Sequence, residues 1–412
     1  MESKWDIVFA CKTEVINRLI REQKTAFLDS FNFKNGTLIA KIPDFQIAWA
    51  GNEQYMALDL TLSDVTICFH GITEKHRTIH SRVHLQFSFK DEENVGFICK
   101  TMATHPDDVT FGAIWVENAD VEKVIQDEVL QDAFGSLLGK ALIEQESNIG
   151  FVLANLKKTY FQPLGITIYK SVPAFQNLNG TLVIAIMCMT KQTKEEPSRQ
   201  FSPSLLLEYD FGYIMRREVF LEKFILPNIQ TLLNITSGTF KVFENNSIVN
   251  DGNVHISTVS VSGTSYKIMA SLLKLQFMGD YLHLLVEGSA DFTGLADSYI
   301  TYSFHAIRQP QFTTENGGKI SFVPIPDNPD SYHSDKHIPL WIEITAGIFT
   351  FGLFTMISEI FYDEIQSKVK NMMNQIKYNG EEGGYFLTWA NKNFQFCDGG
   401  FAENFYMRGK NI

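Results

Sequence analysis

The chain has 412 residues, 45% of them hydrophobic and 20% charged, and its formal net charge is -12. That length holds two domains, or three smaller ones, and so acidic a chain offers nucleic acid and anionic membranes no bulk attraction. Phenylalanine is over-used, with 34 residues beside 14 Tyr and 5 Trp, so there is generous apolar volume that is either packed or surrounds something.

Near the N-terminus, Trp5 to Ile16 (WDIVFACKTEVI) reads as an amphipathic helix. Ile7, Cys11, Val15 and Leu19 recur at every fourth position, with Val8, Ile16 and Ile20 beside them. Glu14, Asn17, Arg18 and Arg21 take the other face, and Asp6 stands as N-cap. The pattern returns as Tyr209 to Phe220 (YDFGYIMRREVF). Asp6, Glu14 and Val15 recur as Asp210, Glu218 and Val219. Trp5/Tyr209, Phe9/Tyr213, Lys12/Arg216 and Ile16/Phe220 agree in kind, and the match frays where Lys223 replaces the counterpart of Leu19. An ungapped match at half the chain length points to internal duplication.

After the first stretch, Asn35-Gly36 is a turn signal and long strands follow. Phe45, Ile47 and Trp49 alternate with polar or small residues, as do Leu58, Leu60 and Leu62. Val65, Ile67 and Phe69 continue with changed phase across a bulge at Asp64. Val83, Leu85, Phe87 and Phe89 alternate with His84, Gln86, Ser88 and Lys90, the form of an antiparallel meander with one apolar face. Residues 120–156 turn helical, with Val121, Val124, Ile125, Val129, Phe134, Leu137, Leu138, Ala141 and Leu142 three and four apart. Residues 160–190 return to strand around Asn179-Gly180, and 191–204 (KQTKEEPSRQFSPS) reads as a linker.

The second half repeats the order. Its helix runs through Phe224 towards Pro227. Strands are expected at Val254/Ile256, Leu273/Leu275/Phe277, Tyr281 to Val286 and Ile300/Tyr302/Phe304/Ala306. Residues 322–339, with four prolines, read as loop. Ile344 to Ile376 reads as a long apolar helix. Its uncharged run, Ile344 to Ser358, is too short for a bilayer, which needs about 20 residues, and should be buried against a sheet. Phe386 to Met407 reads as a closing hairpin around Gly399-Gly400.

Chemistry-bearing motifs are sparse. His76, His80 and His84 lie four apart, a metal-ligand spacing on a helix, but the Val83-to-Phe89 alternation makes this a strand with a solvated polar face. Asp6/Glu14 and Asp210/Glu218 are eight residues apart, about 12 Å along a helix, which suits capping and surface charge better than a shared reaction centre. There is no G-x-S-x-G, Walker loop, H-E-x-x-H or glycine-rich dinucleotide turn. Cys11, Cys68, Cys99, Cys188 and Cys397 are odd in number and scattered, pointing to a reducing compartment without a disulfide scaffold or zinc site. No signal peptide is visible behind Glu2, Lys4 and Asp6, so the four N-x-S/T sites at Asn35, Asn179, Asn234 and Asn245 read as turn chemistry. Long one-sided strands curling round an apolar helix, twice over, can enclose a tubular cavity suited to lipid tails.

Trp5-Asp6-x-Val8-Phe9 followed by Val15-Ile16-Asn17 resembles the N-terminus of the OrfX and forty-seven-kilodalton proteins of clostridial neurotoxin gene clusters. Phe224-Ile225-Leu226-Pro227-x-Ile229, and the Ile348 to Ile357 helix with Phe351-Gly352-Leu353, resemble the same family, and the 46.9 kDa mass fits its shorter member. The resemblance implies a tubular lipid-binding (TULIP-type) fold, with a highly curved antiparallel sheet wrapped around a long helix, and it implies no catalytic residues.

The expectation is therefore an α+β protein of two TULIP-like modules, residues 1–190 and 205–412, joined by the linker 191–204. It is expected to be non-enzymatic, without cofactor, metal, nucleic-acid partner or transmembrane segment. The leading reading is an accessory protein of a toxin gene cluster that binds a lipid, fatty acid or other apolar ligand in a tube lined by Val83, Leu85, Phe87, Phe89, Leu273, Leu275 and Phe277, or binds other OrfX-type proteins or the toxin complex. The opposing helix faces would be Ile7/Cys11/Val15 and Phe211/Met215/Val219. The alternative is a structural or chaperone-like interaction protein with a filled core and no lipid ligand. Its expected place is the cytoplasm of the producing bacterium, with any release independent of a signal peptide.

Overall fold

The computed structural model describes residues 4–22, 33–34, 38–49, 55–105, 112–117, 121–144, 152–178, 180–193, 197–201, 206, 208–235, 238–243, 245–261, 263–292, 297–315, 318–337, 340–379, 386–390, 392 and 394–410. The asparagine-glycine turn at 35–36 lies outside them. The chain opens with β1 (Ile7–Lys12), α1 (Thr13–Glu22), β2 (Phe33–Lys34), β3 (Leu38–Trp49), β4 (Tyr55–Phe69), β5 (Ile72–Phe89), β6 (Asn94–Ile98), β7 (Thr101–Met102) and β8 (Ala113–Glu117). Then come α2 (Glu128–Glu144), β9 (Val152–Leu156), β10 (Lys170–Leu178), β11 (Thr181–Met189) and β12 (Phe211–Met215). The helices α3 (Arg217–Phe220) and α4 (Leu226–Leu233) follow, joined by a π-helical turn. Next are β13 (Phe240–Phe243), β14 (Ser247–Asn250), β15 (Val254–Val261), β16 (Thr264–Met278), β17 (Tyr281–Asp291), β18 (Tyr299–Thr313), β19 (Lys319–Pro324) and β20 (Ser331–His337). The chain closes with α5 (Leu340–Gln375), β21 (Lys377–Asn379), β22 (Leu387–Trp389), β23 (Phe396–Phe401) and β24 (Phe405–Gly409). Two compact units result, one of residues 1–214, 382–396 and 408–412, the other of 215–381 and 397–407.

The first unit holds a sheet in the order β2-β3-β4-β5-β6-β9-β22, with β8 paired to β5. The alternation seen in the sequence sets its faces: Leu58, Leu60, Leu62, Val83 and Leu85 are buried. At Asp64 the backbone turns left-handed, φ 53°. The β3–β4 register slips opposite it, between Ile39 and Lys41. The inward phase moves from Leu62 to Val65 there, as a bulge requires. Among the described residues, the helical reading of residues 120–156 holds for Glu128–Glu144, preceded by a 3-10 turn at Val121–Lys123. Val152–Leu156 is a strand instead, drawn into the sheet by pairing Asn155 with Asn94 on β6.

A further run of strands, β10-β11-β1-β12, corrects the reading of both repeated stretches. Ile7–Lys12 is a strand, paired to β11 with Ile7 opposite Cys188 and Cys11 opposite Ile184, and the helix starts only at Thr13. A spacing of four is compatible with a helix face and, being even, with one strand face too. Both faces of β1 are buried, which removes the usual polar alternation. Asp6 caps no helix. Its carboxylate accepts the Thr190 N–H at 2.7 Å and the Thr190 hydroxyl at 2.8 Å. The second stretch likewise splits into strand Phe211–Met215 and helix from Arg217. Lys12 N–H donates to the Asp210 carbonyl at 2.9 Å, and the Phe9 and Tyr213 rings lie 5.4 Å apart. Three residues back on β1 thus face three residues forward on β12, so the strands run antiparallel.

Asn17, assigned to the polar helix face, is buried. Its Oδ1 accepts the Ile47 N–H at 3.0 Å and its Nδ2 donates to the Ile47 carbonyl at 3.2 Å, clasping the β3 backbone. Asn17→Ala strands both backbone groups. A cost of about 2–3 kcal/mol is expected in chemical denaturation, whereas Arg18→Ala should be close to neutral. The stretch 191–204 also touches this unit. Phe201 is buried in a cluster with Trp5, Val8, Ala10 and Met187, and the Trp5 indole N–H donates to the Ser198 carbonyl at 2.9 Å.

In the second unit the sheet runs β13-β14-β16-β17-β18-β19-β21, with β15 on β16 and β20 on β18. The loop expected over 322–339 contains β20 and the second half of β19. Its described prolines sit where a strand tolerates them, Pro324 ending β19 and Pro326 and Pro329 lying between β19 and β20. β20 is polar throughout because β18 is its one strand partner among the described residues. α5 spans 36 residues. On its described part, Ile357, Phe361, Ile365, Val369 and Met373 are buried, a stripe at helical spacing. Most of the 344–358 side chains lie outside the described residues, and no described helix is long and apolar enough to cross a membrane. Gly399-Gly400 lies inside β23 instead of at a turn, because Ala402 N–H closes the hairpin onto the Asn404 carbonyl at 3.0 Å.

Candidate functional site

Of the proposed lining residues, Ile7, Cys11, Val15, Val83, Leu85, Phe87, Phe211, Met215, Val219, Leu273, Leu275 and Phe277 are buried, and Phe89 is half-buried. Ile7 and Cys11 belong to strand β1, and Phe211 and Met215 to strand β12, while Val15 and Val219 lie on helices. The grouping of each trio on one helix face is therefore corrected, for the reason of even spacing given above.

Around several of these residues the chain supplies its own rings. In the first unit Phe211 meets Phe394 at 4.3 Å and Phe396 at 5.4 Å, and Phe161 stacks on Phe386 at 4.3 Å. Val83 and Leu85 stand opposite Val116 and Ile114 of β8, onto which α2 packs. In the second unit Phe277 stacks on Phe401 at 4.4 Å and lies 6.1 Å from Phe322, with the Arg217 guanidinium 5.3 Å above its ring. Burial raises the pKa of the Cys11 thiol well above its ordinary value, and the Asp210 carboxylate adds to the effect. Cys188 is raised mainly by burial, so neither thiol is poised as a nucleophile.

A cleft of about 390 Å³ opens elsewhere in the first unit, lined by polar side chains of β3, β4, β5 and β8. Register builds it. Gln46, Asp59, Arg82 and Glu117 form one row across four strands, and Asp44, Thr61 and His80 form another. Arg82 grips Asp59 through Nε at 2.6 Å and Nη2 at 3.0 Å, a bidentate pair. The Thr61 hydroxyl lies 3.4 Å from His80 Nδ1, and His84 Nε2 lies 3.2 Å from Glu117. Asp44 Oδ1 and the Ser81 hydroxyl are buried and have no hydrogen-bond partner among the described residues. Of these residues the sequence singles out only His80 and His84, as a solvated strand face; His80 is exposed, but His84 is buried against Glu117 of β8. The signal for the rest was opposite charge at matching polar positions of successive strands, Asp59 and Arg82. Among the described residues no group of three or more His, Cys, Asp or Glu is placed to hold a metal ion.

Comparison with known proteins places this architecture. Protein P47 of Clostridium botulinum (strain Kyoto / Type A2) is 20% identical, covering 97% of this chain and 99% of its own. The structure of P47 from Clostridium botulinum A2 superposes with a TM-score of 0.74 at 16% identity, over 99% of this chain and 97% of that one. P47 of Clostridium botulinum E1 superposes with 0.76 at 15% identity over all of both chains. The OrfX-like family model, described as Protein OrfX2/OrfX3/P47, matches residues 173–379, half the chain. The chain belongs to the OrfX2/OrfX3/P47 family of OrfX-like proteins.

Proposed function

We propose that this protein is a non-catalytic accessory factor of a neurotoxin gene cluster that acts by binding partner proteins, its interior apolar faces serving as packed core. The observation that carries the reading is the set of ring contacts on those faces, foremost Phe277 stacked on Phe401 at 4.4 Å. A face that held an acyl chain would keep a continuous apolar void of about 300 Å³ or more. The same reading includes an ancestral duplication into two modules, 1–190 and 205–412. Its support is the strand-then-helix succession at both repeats and the facing of the equivalent residues Phe9 and Tyr213.

Leu85→Trp and Leu275→Trp test the core against the lipid tube of TULIP-type modules. Both leucines are buried. In a packed core each substitution overpacks and lowers stability by about 1–3 kcal/mol, and the parent protein takes up no fluorescent fatty acid. Uptake by the parent that is lost in the variants, at an unchanged thermal midpoint, would establish the lipid reading instead. Native mass spectrometry of the purified parent gives the independent check, a clean apo mass being expected.

A further inference from the structure

An apolar side chain exposed singly needs no explanation, but a cluster of them does. Strand register gathers one in the second unit. The turns of the β13–β14 and β16–β17 hairpins lie side by side, the Phe277 N–H donating to the Asn246 carbonyl at 3.0 Å. Phe243 stands opposite Ser247, and Ser247 opposite Gln276. Met278 follows two residues on from Gln276, on the same face, and stands opposite Tyr281. Phe243, Met278 and Tyr281 are 45%, 54% and 43% exposed. With about 200 Å² for a whole side chain of this size, they offer roughly 300 Å² of apolar surface.

Both turns are held in place. Arg217 is buried, and its Nη2 donates to the Gly279 carbonyl at 2.6 Å, fixing a turn in which Gly279 takes a left-handed φ of 59°. The Asn245 carbonyl accepts the Gln276 amide at 3.3 Å, and the Ser247 hydroxyl donates to Asn245 Oδ1 at 2.6 Å. Apolar groups carried on fixed turns lose little freedom on association. The charges described around them balance. Lys241 pairs with Asp251, and Arg217 lies 3.8 Å from Asp280. Lys274 stands opposite Leu285, with Glu287 two residues further along β17 on the same face. A second copy of the chain is the occupant that this balance suits. Two molecules of net charge -12 repel each other, so they meet most readily where local charge cancels. No described charge there is left over to select an acidic or a basic partner, and the net charge opposes an anionic membrane.

We propose that Phe243, Met278 and Tyr281 form the centre of an isologous contact between two copies of this chain, with Met278 beside the two-fold axis. The apolar centre is small against the ~800 Å² that each partner buries in a standard stable interface. The dimer is therefore reversible, with monomer and dimer both populated at micromolar concentration. The contact is independent of whether the interior apolar faces are packed or open, so the fatty-acid assay can fail or succeed without touching it.

The test is sedimentation velocity of the full chain, from low to high micromolar concentration at physiological ionic strength. A concentration-dependent dimer is expected of the parent. Met278→Asp and Met278→Lys each set like charges against each other across the axis, and each should weaken dimerisation about tenfold or more. An equimolar mixture of the two variants should restore it, because opposite charges then meet. Tyr169→Asp, at an exposed tyrosine of the first unit, controls for lost surface apolarity and should leave dimerisation unchanged. Substitutions at exposed sites change stability little, so all three variants should keep the parent's thermal midpoint. A parent that stays monomeric throughout, a dimer untouched by the Met278 variants, equal loss in Tyr169→Asp, or no recovery in the mixture would each overturn the proposal. So would a monomeric parent that floats with phosphatidylcholine vesicles and loses that ability in Met278→Asp, which would make the two turns a membrane-contact surface.

Discussion

Phe220→Ala should destabilise the second unit by about 3–5 kcal/mol, the range for removing a buried aromatic ring. Phe220 is 1% exposed. Its ring lies against four others of the same unit: Phe405 at 4.7 Å, Phe401 at 4.9 Å, Phe224 at 5.2 Å and Tyr378 at 6.3 Å. Those rings come from the π-helical turn, β21 and the β23–β24 hairpin, so a void there cannot be closed by one side chain relaxing. Favourable ring geometry adds about 0.5–1.5 kcal/mol per pair beyond the area buried. Two units make a single unfolding transition an unsafe assumption. The informative measurement is therefore hydrogen exchange by mass spectrometry on peptides of β16 and β17. At about 1.4 kcal/mol per tenfold, protection limited by opening of this unit should drop by two orders of magnitude or more. Phe220→Leu, which keeps most of the volume, should lose far less, and equal loss in both variants would show that the ring cluster is not what holds the unit together.

The same residue shows what was legible beforehand and what was not. Phe220 and Ile16 stood out as counterparts in the repeat, and both are buried. The long strands were readable because apolar and polar residues alternate in Leu58 to Leu62 and in Val83 to Phe87, and the apolar set is buried. The first repeat misled because β1 is covered on both sides, so Val8 and Ala10 are as buried as Ile7 and Cys11. The residues left to arbitrate were apolar at a spacing that serves either period. Residues 322–339 misled for the opposite reason. Proline content argues against a central strand, yet β20 lies on β18 and carries no proline between Ser331 and His337. The cleft was illegible because register made it. Gln46, Asp59, Arg82 and Glu117 become one row only once β3, β4, β5 and β8 are aligned. No local window of the sequence contains that alignment.

Arg308→Ala or Asp330→Ala should each cost about 3–5 kcal/mol, the penalty for leaving half of a buried ion pair. The inward phase of β18 runs Ile300, Tyr302, Phe304, Ala306 and then Arg308, all at 4% exposure or less. A charge at that phase is tolerable only with a partner, and Asp330 supplies it through two parallel contacts, Nη1–Oδ1 at 2.6 Å and Nη2–Oδ2 at 2.8 Å. Nη1 also donates to the Ile307 carbonyl at 3.0 Å. Asp330 immediately precedes β20, at the end of a stretch containing Pro324, Pro326 and Pro329. The pair therefore fastens that connection to β18 and sets where β20 begins, with His305 opposite Ser331. Desolvating two charges offsets most of their attraction, so the asymmetry between breaking and replacing the pair is the sharper test. The double variant Arg308→Met/Asp330→Leu, apolar at similar volume, should recover most of the stability lost by either alanine variant. A double-mutant cycle followed by hydrogen exchange in β18 and β20 reads this directly. Additive losses in the cycle, with no recovery in the double variant, would mean that the two side chains stabilise the unit separately and that the connection is held by its prolines alone.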